Sequence, residues 1–233
     1  MHREKIVLLS GAGISAESGI STFRDSDGLW ESHKIEDVAT IEAWWKNPQL
    51  VLDFYNQRRN QLKETNPNKA HLLIAELEKF FDVCVITQNV DNLHEKGGSK
   101  EIIHLHGELT KARGERDDYY DNLEIGYKEL NLGDKSHTGS QLRPHIVWFG
   151  EAVPELDKAV KRVKDADILI IIGTSLVVYP AAGLINYTKK ECKIYLIDPK
   201  DVSTTINVEH IKEKATVGME FLFNKLVKEK QIK

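Results

Sequence analysis

Only two of the 233 residues are cysteine, Cys84 and Cys192, and both stand in apolar, strand-like surroundings. A disulfide framework is therefore not expected. Long apolar runs are also missing. The longest late run, at 168–172 within DADILIIIGTS, falls far short of the roughly 20 residues that cross a bilayer. The opening eight residues, MHREKIVL, are too brief for a signal peptide, so a cytoplasmic location is expected. Nor is there an excess of positive charge: 32 Lys and Arg stand against 36 Asp and Glu, for a net charge of -4. Nucleic acid and membrane are accordingly excluded as expected partners. What is present, 41% hydrophobic and 29% charged residues, is the composition of an ordinary globular chain with enough length for a substantial core.

Three short β-branched runs stand out, at 6–10 (IVLLS), 83–87 (VCVIT) and 168–173 (ILIIIG), with a fourth at 193–198 (KIYLID). Continuous apolar runs of this length read as strands buried on both faces, hence as a parallel sheet. Helical patterns separate them. Asn47-Pro48 opens one, with Asn47 as N-cap, running through Leu62; Asn68 caps the next, through Phe80. This alternation predicts an α/β fold, a Rossmann-like doubly wound parallel sheet. Two stretches break the pattern. Residues 32–82 are helical without strands, and residues 113–143 are polar and turn-rich. They are expected to form a smaller inserted helical and irregular part of a single domain, whose large part is 1–31, 83–112 and 144–233.

After the first strand, Gly11-Ala12-Gly13-Ile14-Ser15-Ala16 satisfies the G-x-G-x-x-A form of the dinucleotide fingerprint. Glycines there let the backbone approach a pyrophosphate, and a helix N-terminus favours the anion. A tight strand-to-helix turn without ligand is the plain alternative. A dehydrogenase would next show a strand ending in an acidic residue about 20 positions on. Here a charged, aromatic loop, STFRDSDGLW at 21–30, stands in its place, which disfavours hydride transfer.

Five motifs in order now carry a resemblance. They are GAGISAESGISTFRDSDGLW at 11–30, TQNVDNLH at 87–94, HLHG at 104–107, RPHIVWFGE at 143–151 and GTS at 173–175. Together they resemble the sirtuins, over about residues 5–220 apart from 113–140. The resemblance implies NAD as a consumed co-substrate and acylated lysine side chains of proteins as partners. The implied products are nicotinamide, free lysine and O-acyl-ADP-ribose. It implies His106 as catalytic base, with Asn89 beside it, while His104 is expected to be structural. Gln88 and Asn89 would face the ribose, and Asp91 the carboxamide of nicotinamide. Gly11, Ala12, Gly13, Ser15, Ala16, Phe23, Arg24, Asp25 and Trp30 would form the cofactor loop. Gly173, Thr174 and Ser175 would hold phosphates or the adenosine ribose, and Ala215 would touch adenine. Many relatives carry Asn-x-Glu near the adenine pocket; here Leu196-Ile197-Asp198 keeps the acid, Asp198, and loses the amide. The acyl-peptide is expected to add as a strand along 147–151 and 176–179, touching Val147, Phe149, Gly150 and Val178.

Most sirtuins hold a structural zinc with two pairs of cysteines, but 113–143 contains none. Gly114 and Ser136 stand where relatives place ligands, and one histidine, His137, with Asp117 and Asp118 makes a poor tetrahedral site. No zinc is expected, and packing through Tyr119, Tyr120, Leu123 and Tyr127 is expected in its stead. On the helix from Pro48, Val51, Tyr55, Arg58 and Leu62 share a face. A charge on that apolar stripe either reaches water or meets an anion. Tyr55-x-x-Arg58 also resembles the pair with which sirtuins active on succinyl- and malonyl-lysine bind the acyl carboxylate. The expected substrates are therefore succinyl and malonyl groups, with acetyl left open. A mono-ADP-ribosyltransferase and a non-catalytic NAD sensor remain as alternatives.

Overall fold

The computed structural model describes residues 3–21, 29–30, 33–204 and 206–232, with the backbone alone at 29, 30 and 232. The chain opens with β1 (Lys5–Ser10), two 3-10 turns (Ala12–Ile14 and Ala16–Ser18), and the short antiparallel pair β2 (Leu29–Trp30) and β3 (His33–Lys34). Four helices follow: α1 (Ile35–Val38), α2 (Ile41–Lys46), α3 (Pro48–Glu64) and α4 (Lys69–Leu77). Then come β4 (Asp82–Thr87), α5 (Leu93–Gly97), β5 (Ile102–His104), β6 (Gly107–Gly114), β7 (Asn122–Glu124) and β8 (Leu142–Ile146). The last third holds α6 (Leu156–Asp165), β9 (Ile168–Ile172), a 3-10 helix (Ala181–Tyr187), β10 (Lys193–Ile197), β11 (Glu209–Ile211) and α7 (Ala215–Ile232).

Six strands form one parallel sheet in the order β11-β10-β9-β1-β4-β5. In chain order this is the 3-2-1-4-5-6 winding, with the topological switch between β1 and β9. The continuous apolar runs follow from burial on both faces. Ile6 and Leu8 face one core with Ala70, Ile74 and Leu77 of α4 and Met219 and Leu222 of α7. Val7 and Leu9 face the opposite core with Ala159 and Val163 of α6 and Leu184 of the 3-10 helix. Among the described residues no helix is long and apolar enough to cross a membrane.

A third core joins α1–α3 to an antiparallel sheet of order β7-β6-β8. These cores divide the chain differently from the expected 32–82 and 113–143. Helix α4 belongs to the large sheet, while Leu109 of β6 and Ile146 of β8 belong to the small unit. Periodicity reveals which face of a helix is apolar, not which core receives it. The N-caps follow the sequence: Asn47 Oδ1 accepts from Leu50 N–H at 3.1 Å, and Asn68 Oδ1 from Ala70 N–H at 3.0 Å.

Candidate active site

The loops leaving β1 and β9 meet at the switch point, and they do so through glycine. Gly11 N–H donates to Ile172 O at 3.1 Å, and Gly13 N–H to Gly173 O at 2.9 Å. A Cβ at Gly13 would lie 2.7 Å from Gly173 Cα. One at Gly173, whose φ is +64°, would lie 2.2 Å from Ile14 N. No residue with a side chain fits such an approach. The expected helix after the glycines is absent; two 3-10 turns stand there, too short to supply a helix dipole. A cavity of about 770 Å³ opens over these loops, lined by Gly11, Ala12, Gly13 and Ala16 from one side and Gly173, Thr174 and Ser175 from the other. Its size lies within the range of roughly 300–1,000 Å³ typical of small-molecule sites.

The carboxyl end of β4 supplies the next wall. Thr87 Oγ1 accepts from Asn89 N–H at 3.0 Å and from the Ser10 hydroxyl at 2.9 Å, and Ser10 Oγ in turn accepts from His94 Nε2 at 2.9 Å. This buried chain fixes the turn at 88–91. From it, Asn89 Nδ2 donates to Ser15 Oγ and Ser15 donates to Asp91 Oδ2, both at 3.0 Å. Ser15 lies behind the cavity wall and joins the glycine turn to the two residues that do line it. Burial pushes the Asp91 carboxyl up, opposed by bonds from Leu93 N–H and Ser15. Gln88 Nε2 donates to Thr174 Oγ1 at 3.1 Å, bridging to the β9 loop.

His104 and His106, two residues apart, end in opposite protonation states. His104 donates from Nδ1 to Asn89 O at 3.2 Å and from Nε2 to Glu95 Oε1 at 2.7 Å. Both partners are acceptors, so the ring carries two protons. Burial by itself would lower its pKa, but Glu95 overrides that and the pKa is raised. His106 has one backbone partner: Nδ1–H donates to Gln88 O at 3.0 Å. Its Nε2 therefore holds a lone pair, and the residue lines the cavity. Burial lowers its pKa, opposed by the bond to Gln88 O, so the ring is neutral at pH 7.

The remaining walls come from the expected places and from one that the sequence left unremarked. Asp198 and Ala215 line the far end, and Asp198 Oδ1 accepts from Lys200 N–H at 2.9 Å. Val147, Phe149, Gly150 and Val178 line the mouth, and Tyr55 the inner end. Beside Tyr55 stands Trp148, whose Nε1–H donates to the Tyr55 hydroxyl at 2.9 Å. Its signal was its place between Val147 and Phe149 in RPHIVWFGE. Burial pushes the Tyr55 phenol far above its usual range, so it stays protonated. Arg58 is not among the described residues that line the cavity; its guanidinium lies 5.4 Å from the Phe54 ring. Arg59 is fully buried beside Asn56 and Leu109 O. Its spacing of four from Tyr55 places it on the same inward face. Phe23, Arg24 and Asp25 lie outside the described residues, as does the Trp30 side chain.

The stretch 113–143 is held by hydrogen bonds and by part of the expected aromatic packing, through Tyr119 and Tyr127 but not Tyr120 or Leu123. Tyr120 is 57% and Leu123 41% exposed, while Tyr119 stacks on His145 at 4.4 Å. Tyr127 is half-buried, and its hydroxyl accepts from Asn92 Nδ2 at 3.1 Å. Asn56 of α3 clamps Leu130 twice at 2.9 Å, through its N–H and its carbonyl. Asp117 Oδ1 accepts from Thr138, whose hydroxyl also meets Ser136 Oγ at 2.9 Å. A Cβ at Gly114 would lie 2.0 Å from Asp117 Oδ2, so that glycine makes room for the carboxylate. The oxygen and imidazole donors of Asp117, Asp121 and His137 do not fit the thiolate zinc site that most sirtuins carry.

The Sir2 family model matches residues 11–180. An NAD-dependent protein deacylase of Helicobacter pylori strain 26695 is 58% identical over 227 residues, covering 96% of this chain and 98% of the relative. One of Bacteroides thetaiotaomicron is 54% identical over 230 residues, with coverages of 96% and 98%. Among solved structures, a mutant Sir2 homologue in complex with ADP-ribose superposes with a TM-score of 0.89 at 39% identity, covering 99% of this chain and 95% of that one. A Sir2 homologue in complex with NAD gives 0.87 at 40%, with coverages of 98% and 91%. With its winding, its glycine turn and its motifs all in agreement, the chain belongs to the Sir2 family.

Proposed function

We propose that this chain is an NAD-dependent protein-lysine deacylase. It removes succinyl and malonyl groups, accepts acetyl as well, and gives nicotinamide, free lysine and O-acyl-ADP-ribose. The observation that carries the deacylase reading is the His106 ring, which is neutral, pinned at Nδ1 by the Gln88 carbonyl, and in one cavity with Asn89 and Asp91. That arrangement is a general base for a hydroxyl. The donor set also fits a dinucleotide: side-chain-free backbone at Gly11 and Gly13, a buried acid at Asp198 and amide-binding groups at Asn89 and Asp91. When bound, NAD supplies the electrophilic ribose carbon and nicotinamide as leaving group. The protein orients it: Ser15 ties Asn89 and Asp91 to the glycine turn, and Gln88 binds Thr174 through its side chain and His106 through its carbonyl.

The acyl preference draws its support from Tyr55, a protonated donor in the cavity wall, with Arg58 one helical turn further along α3. A guanidinium fork and a phenol together suit a carboxylate. The relatives named as NAD-dependent protein deacylases support the broader activity, as does the solved Sir2 bound to acetylated peptide, with a TM-score of 0.80 at 27% identity. Matched succinyl-, malonyl- and acetyl-lysine peptides incubated with protein and NAD, followed by mass spectrometry, test the reading. NAD-dependent loss of succinyl and malonyl, abolished by His106→Ala, is expected. Turnover of acetyl alone would remove the acyl preference. No turnover, with ADP-ribose found on the protein instead, would replace deacylation by ADP-ribosyl transfer.

A further inference from the structure

His104 is buried and is not among the described residues that line the cavity, yet it grips the turn that does. Leu105 N–H donates to Thr87 O at 2.9 Å, which carries the pairing of β4 with β5 up to that turn. The two histidines that flank Leu105 then hold successive carbonyls. His106 Nδ1–H donates to Gln88 O at 3.0 Å, and His104 Nδ1–H donates to Asn89 O at 3.2 Å. Asn89 is thereby fixed at three points, because its N–H donates to Thr87 Oγ1 and its Nδ2 to Ser15 Oγ, both at 3.0 Å.

The other ring nitrogen of His104 donates to Glu95 Oε1 at 2.7 Å, on the helix α5 that follows the turn. Burial opposes ionisation of both partners, but their bond raises the pKa of the ring and lowers that of the carboxyl. Of the other titratable groups that interact with the ring, Glu108 of β6 is paired with Lys111 at 2.7 Å, burial keeps His94 of α5 and His145 of β8 neutral, and Asp91 belongs to the turn itself. We propose that Glu95 and His104 form a positioning pair for the turn at 88–91: the carboxylate anchors the ring, and the ring fixes the Asn89 carbonyl, so that Asn89 faces the cavity and Gln88 O stays on His106. This inference rests on the deacylase reading. A carboxylate is a stronger acceptor than a peptide carbonyl, so a ring that loses one proton keeps the one that meets Glu95. Its Nδ1 then turns a lone pair on the Asn89 oxygen, and the turn loosens.

The test is a pH series of kcat/KM for NAD, with a saturating amount of whichever acyl-lysine peptide the wild type turns over fastest. Wild type, Glu95→Gln and His104→Phe are compared. Wild type is expected to lose rate on the alkaline side as His104 gives up one proton. Glu95→Gln keeps an acceptor oxygen but removes its charge, and should move that loss down by roughly one pH unit while the acid side stays in place. His104→Phe keeps a ring without donors. It should run roughly tenfold below wild type at the pH optimum, the scale of one charge-assisted hydrogen bond, and lose the alkaline step. A Glu95→Gln profile that superposes on that of wild type, or full activity in His104→Phe, overturns the proposal while the deacylase reading stands. A wild type that turns over no acyl-peptide overturns that reading and this inference together. If His104→Phe does not fold, Glu95→Gln carries the test, and an unmoved alkaline side there overturns the proposal.

Discussion

His71 offers a quantitative handle on how this fold answers to pH. It stands at the third position of α4, where Nδ1 accepts from Asn68 N–H at 3.3 Å, and its ring meets that of His94 at 4.9 Å. Burial lowers its pKa to about 4, against 6.5 for an ordinary histidine. The folded state therefore binds this proton less readily than the unfolded chain. Below pH 6.5 the unfolded state holds more protons, so stability falls with falling pH until the folded pKa near 4 is reached. The slope is about 1.4 kcal/mol per pH unit, and the whole span is worth about 3 kcal/mol. His94 is lowered by burial as well, and His145 is lowered to about 3, so the losses add over the same window. Carboxylates such as Glu151, lowered by its Arg143 bonds against the opposing effect of burial, add their own loss only below the ordinary value of 4.5. His71→Gln keeps the capping geometry, because glutamine is a standard residue at that helix position, and removes the titration. Urea unfolding at pH 7.0, 6.0, 5.5 and 5.0 gives stability against pH for both proteins. Wild type should lose about 1.4 kcal/mol per pH unit more than His71→Gln between pH 6 and pH 5. Parallel lines would refute the argument.

The rate of deacylation should fall on the acid side as His106 takes up a proton at Nε2, with a midpoint below 6.5 because burial lowers its pKa; a pH series of kcat/KM reads this, and a midpoint above 6.5 contradicts it. Gly173→Ala places a Cβ 2.2 Å from Ile14 N at a φ of +64°, so a drop in Tm of about 6–12 °C is expected in thermal melts, for a cost of roughly 3 kcal/mol. Arg58→Met should depress desuccinylation far more than deacetylation, and equal losses in steady-state assays would remove Arg58 from the acyl pocket.

The large sheet was legible because its strands are buried on both faces: residues 6–10, 83–87 and 168–172 have no polar alternation to confuse with a helix. The glycine spacing located the loop, but the tightness it demands is spent on contact between Gly13 and Gly173, a partner 160 positions away that no local pattern reveals. Arg59, four residues from Tyr55, shares its inward face and is buried despite its charge, which composition does not foretell. In 113–143 the packing of Tyr119 and Tyr127 was legible, whereas the bonds of Asn56, Asp117, Ser136 and Thr138 use partners set only by the tertiary fold. His104 and His106 look alike in the sequence, and only their hydrogen-bond partners separate a doubly protonated ring from a free base.

Tyr55 and Asn56 are neighbours on α3, one facing the cavity and the other gripping Leu130 by both its amide and its carbonyl. The cavity wall at Tyr55 and the anchoring of 113–143 are thus wired to a single half-turn of helix. Replacing or trimming the 113–143 excursion would therefore disturb the cavity wall at the same time. A replacement that keeps the backbone at Leu130 within reach of Asn56 should leave that wall intact, whereas one that shifts it would loosen the helix next to Tyr55.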